Sequence, residues 1–270
     1  MICVSYGPLL IIGGAEEKYQ GVTILRKFTE LSLQREGKVG ILTTATRIPE
    51  EVGGEYQKVF RNLGIGDPIT IDVDSREKAE DEQILKDVEG LSALFITGGD
   101  QSRLTQMITG TKLHALFFDK WKSGMVLGGT SAGASIMGKH MIVSALTKDS
   151  DEILQVEMDK GFGFMSQMLI DQHFSQRSRF DRLLGAIAGN PDLMGIGIDE
   201  NTAILINGAT FEVIGEHQVL ILDGKENSFV EVTTNDDGSE ELTLSNFKLH
   251  TLTHGYRFDL KNRKLLIKGE

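Results

Sequence analysis

The chain has 270 residues, 40% of them hydrophobic, which is enough to bury a substantial core as one large domain or two small ones. Its 28 basic and 39 acidic residues give a net charge of −11, which disfavours binding to nucleic acid. A single cysteine, Cys3, excludes an intrachain disulfide framework and cannot start a zinc-ligand pattern. No linker or low-complexity tract divides the chain, so we expect one α/β domain over 1–270 with a β-rich C-terminal extension over about 207–270.

The N-terminal segment carries no basic region. Its apolar run, residues 8–12, is too short for a signal or transmembrane segment and passes directly into two glycines. The sequence therefore predicts a soluble cytoplasmic protein.

Short apolar runs alternate with segments of helical periodicity through the first half of the chain. This alternation is typical of β-α units on a mostly parallel sheet flanked by helices. The predicted strands are 9–12, 39–42, 69–71, 94–96 and 125–127, and polar helices with one apolar stripe are predicted over 50–63 and 77–88.

The pattern changes after Ile198. The segments 213–222, 229–232, 241–244 and 256–266 are β-branched or alternating, and Asp-Gly and Asn-Gly dipeptides separate them. This texture predicts antiparallel hairpins toward the C-terminus.

A Gly-x-Ser-x-Gly motif follows the fifth predicted strand directly. A sharp turn from strand to helix displays a serine hydroxyl, and the amide of the next residue points at a developing oxyanion. Ser131 is therefore the candidate nucleophile and Ala132 a candidate oxyanion donor. The alternative is that these small residues merely end a buried strand.

Two later segments place a base and a carboxylate just beyond apolar runs, at the sheet edge where ligands bind in open α/β folds. His173 is the candidate base, because it follows such a run among several polar residues. Asp199 and Glu200 compete for the carboxylate position, since neighbours on an extended chain point to opposite faces. The remaining histidines are predicted to be structural or exposed: His114 and His140 in helices, and His217, His250 and His254 in the β-rich tail.

Two glycine turns also follow predicted strands. Gly98 and Gly99 could bring a second backbone N–H to the oxyanion, although a plain turn between strand and helix is an equal alternative. The turn from Gly13 to Glu16 lacks the G-x-G-x-x-G spacing and is weak evidence for a dinucleotide site.

Three arginines begin four residues after His173. The following helix has Phe180, Leu183, Leu184 and Ile187 at core spacing, which leaves Arg179 and Arg182 on its polar side and Arg177 before it. Such arginines usually form a solvated face. A guanidinium group is also suited to two-point contact with a carboxylate, so an acid-bearing substrate is plausible.

Four segments, GGTSAGAS, ITGGDQSRL, DQHFSQRSRFDRLL and GIGIDENTA, resemble the cyanophycinases, of the serine peptidase group that also contains aspartyl dipeptidase. The resemblance runs from about Ile11 to Ala203, and the arginine-rich stretch is closer to cyanophycinase than to the dipeptidase. It implies a class I glutamine amidotransferase-like (flavodoxin-like) fold, a homodimer, and neither metal nor other cofactor.

The resemblance also implies the reaction: cleavage of cyanophycin, a poly-aspartate carrying arginine on its side chains, into β-Asp-Arg dipeptides. It makes Ser131 the nucleophile, His173 the base and then the acid, and Glu200 the orienting carboxylate. It implies that Gln101, Asp171, Gln172, Arg177, Arg179 and Arg182 bind the substrate. An α-aspartyl dipeptidase and a non-catalytic binding protein of the same fold are the alternatives.

Overall fold

The computed structural model describes residues 6–145, 156–226, 229–236 and 240–267. Cys3, to which the sequence assigns no role, lies outside these ranges. None of the helices in the described ranges is both long enough and apolar enough to cross a lipid bilayer.

Strands and helices alternate up to the middle of the chain, and strands dominate after it. The strands are β1 (Leu9–Ile12), β2 (Lys38–Leu42), β3 (Ile69–Ile71), β4 (Leu91–Ile96), β5 (Val126–Thr130), β6 (His140–Ala145), β7 (Val156–Lys160), β8 (Met168–Gln172), β9 (Met194–Ile198), β10 (Thr202–Asn207), β11 (Thr210–Gly215), β12 (Val219–Asp223), β13 (Phe229–Thr234), β14 (Glu240–Ser245), β15 (Lys248–Leu252), β16 (Arg257–Asp259) and β17 (Lys264–Leu266). The helices are α1 (Thr23–Leu33), α2 (Pro49–Asn62), α3 (Glu82–Glu89), α4 (Gln101–Ile108), α5 (Lys112–Lys122), α6 (Ala132–Ser135) and α7 (Phe180–Gly189), with 3₁₀ turns at Lys78–Glu80 and Ser175–Arg177.

The main sheet, within the described residues, has nine strands in the order β17-β16-β11-β10-β1-β5-β4-β2-β3. The five strands from β1 to β3 in this order are parallel to one another. The strands from β10 outward are antiparallel. A second sheet, β15-β12-β9-β8, has one parallel pair, β8 with β9. The mixed α/β fold with a central parallel sheet is therefore confirmed.

Both faces of the main sheet are covered, which explains why its first strand is apolar throughout. Leu9 and Ile11 face one buried cluster, to which α4, α5 and the second sheet contribute. Leu10 and Ile12 face another cluster, which α1 and α2 cover. All four of these side chains are buried. The five predicted parallel strands are confirmed.

Two predictions of secondary structure are wrong. The predicted helix over 77–88 is broken at Asp81, because its carboxylate caps α3 by accepting hydrogen bonds from the N–H groups of Gln83 and Ile84 at 2.9 and 3.0 Å. The segment 213–222 contains antiparallel strands as expected, but it is divided between β11 in the main sheet and β12 in the second sheet. His140 does not lie in a helix, since it begins β6 and pairs with Lys160 of β7.

The two sheets meet where several strands end. The N–H of His173, the residue after β8, donates to the carbonyl of Gly13, the residue after β1, at 2.8 Å. The carboxyl ends of β1, β5, β8 and β9 therefore lie together, which is the edge where ligands bind in open α/β sheets.

Candidate active site

Ser131 lies in a sharp turn between β5 and α6. Its backbone has φ 52° and ψ −110°, a left-handed conformation that is unusual for serine. The flanking glycines allow the turn, because a Cβ added at Gly129 would lie 2.3 Å from the carbonyl oxygen of Gly133. A Cβ added at Gly133 would lie 2.4 Å from the carbonyl oxygen of Ile96. The motif is therefore required by close backbone packing as well as by display of the hydroxyl.

Ser131, His173 and Glu200 form a continuous chain of polar contacts. Ser131 Oγ lies 3.0 Å from His173 Nε2, and His173 Nδ1 lies 2.6 Å from Glu200 Oε1. With a proton on Nδ1 donated to Glu200, Nε2 can accept the serine proton. Asp199 points away, since its Oδ1 accepts the N–H of Ser175 at 2.9 Å. The geometry thus selects Glu200 where the sequence left two choices.

The pKa of His173 is lowered from its ordinary value. Burial is the main cause, and the positive charges of Arg177 and Arg179 add to it, whereas the hydrogen bond and charge of Glu200 act in the opposite direction. The lowered pKa favours the neutral imidazole at neutral pH. A neutral imidazole can act as a general base.

Each of the three turns that carry a candidate catalytic residue includes a residue with positive φ. These are Ser131 at 52°, His173 at 49°, and Asn201, which follows Glu200, at 47°. Such conformations cost of order 1–3 kcal/mol each and persist only where the surroundings enforce them. The site is therefore a strained region held by its neighbours.

The turn after β4 lies directly against the nucleophile. A Cβ added at Gly98 would be 3.2 Å from the Cβ of Ser131, so the backbone of this turn approaches the serine closely. Gly99 has φ +142°, and a Cβ there would lie 2.2 Å from the carbonyl oxygen of Ala45. Gly98 and Ala132, the residue after Ser131, therefore lie beside the candidate nucleophile, where oxyanion donors would be needed, whereas Gly99 packs against Ala45.

A cavity of about 530 Å³ opens above these groups. Gly98, Ser131 and His173 lie on one side of it, and residues that the sequence reasoning missed form the other. These residues are Glu16, Glu17, Lys18, Tyr19, Glu55 and Tyr56. A usable signal existed for Glu16, because it follows a glycine turn at the same sheet edge as Ser131. The residues from α2 carry no such signal.

Glu55 is the charged centre of this opposite wall. It receives hydrogen bonds from Lys18 Nζ at 2.7 Å and from the Tyr19 hydroxyl at 2.8 Å. Burial by itself would raise the pKa of Glu55, but these two donors and the lysine charge outweigh it and lower the pKa. The ammonium of Lys18 also lies 4.6 Å from the centre of the Tyr56 ring.

The predicted arginine cluster converges on one buried carboxylate. Asp171, only 1% exposed, accepts hydrogen bonds from Arg179 Nη1 at 3.2 Å and from both Nε, at 2.6 Å, and Nη2 of Arg182. Burial lowers the pKa of Arg179 to about 10, against the opposing charge of Asp171, so the guanidinium stays charged at neutral pH. The prediction that Phe180 faces the core is wrong: it is 39% exposed at the start of α7, whereas Leu183 and Ile187 are buried as expected.

The other predicted substrate residues differ in accessibility. Arg177 is exposed. Gln101 donates to the carbonyl of Ile142 at 2.5 Å. Gln172 is buried, and its Oε1 has no partner among the described residues. These three side chains therefore present an accessible charge, an engaged amide and an unsatisfied acceptor.

Outside this region, His114 has the structural role that the sequence predicts. Its Nε2 lies 3.0 Å from the carbonyl oxygen of Phe162, and its Nδ1 accepts the N–H of Gly110 at 3.2 Å. In the described part of the chain, no three His, Cys, Asp or Glu side chains are grouped so that they could hold a metal ion.

A serine, a histidine and a carboxylate in hydrogen-bond contact beyond the strands of an α/β sheet are typical of a serine-type hydrolase. The model of peptidase family S51 matches residues 9–214. The chain belongs to this family.

Similar proteins extend the match over almost the whole chain. The chain is 38% identical to the cyanophycinase of Geminocystis herdmanii over 95% of its own length and 94% of that protein. It is 36% identical to the cyanophycinase of Trichormus variabilis over 96% of this chain and 87% of that protein. A peptidase from an acI-B1 Actinobacterium has the same fold, with a TM-score of 0.72 at 21% identity, covering 94% of this chain and 97% of that one.

Proposed function

We propose that this chain is a cyanophycinase: a serine-type exopeptidase that hydrolyses cyanophycin, multi-L-arginyl-poly-L-aspartate, to β-Asp-Arg dipeptides. The observation that carries the proposal is the contact chain from Ser131 through His173 to Glu200. Two relatives named cyanophycinase, each matched over about 95% of the chain, support the choice of substrate.

The reaction proceeds through an acyl-enzyme. His173 Nε2 takes the proton of Ser131 as its oxygen attacks the backbone carbonyl, and Glu200 stabilises the imidazolium that forms. Backbone N–H groups of Ala132 and the Gly98–Gly99 turn stabilise the oxyanion. His173 then protonates the leaving amine, and water hydrolyses the acyl-enzyme through the same base. No metal or other cofactor takes part.

Substrate recognition is assigned to Gln101, Asp171, Gln172, Arg177, Arg179 and Arg182. Among them, Arg177 is exposed and suits direct contact with a substrate carboxylate. Asp171 acts through the two arginines that it holds, since it is itself buried. Gln172 is buried as well, and its Oε1 has no partner among the described residues, so it suits a positioning role behind the arginines.

The proposed function extends to the fold family, the oligomeric state and the cellular location of the protein. We assign a class I glutamine amidotransferase-like (flavodoxin-like) fold, a single domain with a β-rich C-terminal extension over about 207–270, a homodimer and a cytoplasmic location. Light scattering after size-exclusion chromatography tests the dimer, and a monomer at working concentration would contradict it.

The test of function is incubation of the purified protein with cyanophycin, with and without a serine-reactive phosphonate. Mass spectrometry then follows the soluble products and the intact protein. We expect release of β-Asp-Arg and a phosphonate adduct on Ser131. Ser131→Ala should bind the polymer and release nothing, because it removes the covalent step and little contact area. Ser135→Ala, the same change four residues later, is the matched control and should release dipeptide at the wild-type rate.

Two results would replace the proposal. Turnover of α-aspartyl dipeptides without release from the polymer would identify an α-aspartyl dipeptidase. Polymer binding with neither release nor an adduct on Ser131 would identify a non-catalytic binding protein.

A further inference from the structure

The end of β1 and the turn that follows it contact the backbone around all three candidate catalytic residues. The N–H of Ser131 donates to the carbonyl of Ile12, the last residue of β1, at 3.1 Å. The N–H of His173 donates to the carbonyl of Gly13, the first residue of the turn, at 2.8 Å. This segment therefore joins the backbone of the candidate nucleophile to that of the candidate base.

The same turn also contacts the segment that carries Glu200, the third candidate catalytic residue. The N–H of Asn201, the residue after Glu200, donates to the carbonyl of Gly14 at 2.9 Å, and the Asn201 side-chain oxygen accepts the N–H of Glu17 at 3.1 Å. Gly14 packs so closely on the imidazole that an added Cβ would lie 2.3 Å from His173 Cε1. A dinucleotide role is not needed to explain this glycine.

Glu16 lies in this turn, and both of its carboxylate oxygens are engaged within the protein. Oε2 accepts the hydroxyl of Thr130 at 2.5 Å, and Oε1 accepts the hydroxyl of Tyr56. Glu16 is 5% exposed, although it borders the cavity. A carboxylate whose oxygens are occupied in this way is better suited to holding protein groups than to binding substrate.

The hydrogen bond from Thr130 to Glu16 bears on the position of Ser131. It is the last residue of β5 and directly precedes Ser131, whose left-handed backbone needs surroundings that enforce it. Fixing the Thr130 hydroxyl fixes the end of the strand from which the nucleophile projects. Tyr56 remains a donor at all relevant pH values, because burial, reinforced by the charge and hydrogen bond of Glu16, raises its pKa well above the ordinary value.

We propose that Glu16 is a positioning residue for the nucleophile: it ties Thr130 at the end of β5 to the turn after β1, while Tyr56 holds its second oxygen. The inference rests on the proposed role of Ser131. Glu16 acts on the rate of acylation and not on substrate binding.

The test measures the rate at which a phosphonate phosphonylates Ser131, together with kcat and KM on a short soluble segment of cyanophycin. Thr130→Val keeps the shape and removes the donor, so the phosphonylation rate and kcat should fall by at least about 10-fold with KM unchanged, since misplacing a reacting group by about 1 Å costs up to about 100-fold. Thr130→Ser restores the hydroxyl and should recover most of the rate. Glu16→Leu leaves two hydroxyls without their acceptor and should be slower than Thr130→Val.

Thr105→Val is the matched control, because Thr105 is also buried but its hydroxyl donates only to the nearby Ser102 carbonyl, at 3.1 Å. It should keep the wild-type phosphonylation rate. A wild-type phosphonylation rate in folded Thr130→Val and Glu16→Leu would overturn the inference, as would a rise in KM at constant kcat, which would make Glu16 a substrate contact. Wild-type protein that reacts with phosphonate but not with cyanophycin would overturn the proposed function alone.

Discussion

Two buried carboxylates in the second sheet are each neutralised by arginine, but they lie at opposite ends of it. Asp171 stands near the carboxyl end of β8, with Arg179 and Arg182. Asp223 ends β12, where the strand pairs with the start of β9, and is held by Arg263. The first cluster lies two residues from His173. The second joins the turn before β17 to the second sheet, since Arg263 also donates to the carbonyl of Asp192 at 2.7 Å.

The two arginine–carboxylate clusters therefore differ in what they are expected to affect. Removing one partner of a buried ion pair leaves a charge uncompensated and destabilises a protein strongly at either location. Of these two clusters, only that of Asp171 contacts the segment that carries His173, because Arg179 also donates a hydrogen bond to the carbonyl of Gln172. We expect the Asp171 cluster to control both stability and activity, and the Asp223 cluster to control stability alone.

The largest effect is expected from Asp171→Ala. It leaves two guanidinium groups without their carboxylate and frees the segment that bears His173, so the free energy of unfolding should fall by about 3–5 kcal/mol. We expect kcat on cyanophycin to fall by at least about 100-fold as the base moves out of place. Urea unfolding and steady-state kinetics measure the two effects. A folded variant with wild-type kcat would remove the distinction between the clusters.

Arg263→Met comes next. It should destabilise by about 3 kcal/mol, because Asp223 remains buried without its partner, yet the folded fraction should keep the wild-type kcat. The double variant Asp223→Leu with Arg263→Met should regain much of the lost stability, since no charge is then left buried. Impaired kcat in the folded single variant would show that this end of the sheet is coupled to the site.

Arg177→Gln should change the pH profile with little effect on stability. The charge of Arg177 contributes to lowering the pKa of His173, so its removal should raise that pKa toward the ordinary value. The base acts when neutral, and activity is lost as the pH falls through its pKa. The acidic limb of kcat/KM should therefore move to higher pH, while Tm stays within about 2 °C.

Arg47→Gln is the control for this experiment, because it removes an equally exposed positive charge that does not contribute to the His173 shift. Its acidic limb should coincide with that of the wild type. A limb that moves to lower pH in Arg177→Gln would contradict the electrostatic argument.

The smallest effect is expected from Lys248→Ala. Lys248 Nζ lies 2.5 Å from Glu226 Oε2, but both side chains are largely exposed, so solvent screens the pair. Tm should stay within about 2 °C of the wild type, in low salt and in 1 M NaCl alike, with kcat unchanged. A larger fall in Tm, measured by scanning calorimetry, would show that burial does not explain the difference between this exposed pair and the Asp171 and Asp223 clusters.

The parallel strands and the sharp turn that carries Ser131 were predictable because their signals are local. A strand buried on both faces is apolar throughout, and Gly-x-Ser-x-Gly reflects crowding within its own turn. The residue pattern alone could not choose Glu200 over Asp199, since the choice depends on which side of an extended segment faces His173, and only the resemblance to the cyanophycinases indicated Glu200. Glu55 and Tyr56 escaped detection because their role depends on how α2 packs against the turn after β1.

Errors in the predicted elements have a similar origin. Asp81 reads as a polar residue within a helix, but its side chain bonds backbone N–H groups and ends one element before the next begins. The run over 213–222 changes sheet partners at residues 216–218, and hydropathy carries no information on partners. Phe180 has core spacing, yet it is the first residue of α7 and is exposed, whereas Leu183 and Ile187 further along the same side are buried.

The positive φ of Ser131 has a consequence for protein engineering. Glycine adopts this backbone without strain, so Ser131→Gly should relieve a local cost of order 1–3 kcal/mol while it removes the nucleophile. A screen of variants for thermal stability alone would favour this change and select a more stable protein that lacks catalytic activity. Any campaign to stabilise the enzyme should therefore exclude this position from randomisation or score turnover alongside heat tolerance.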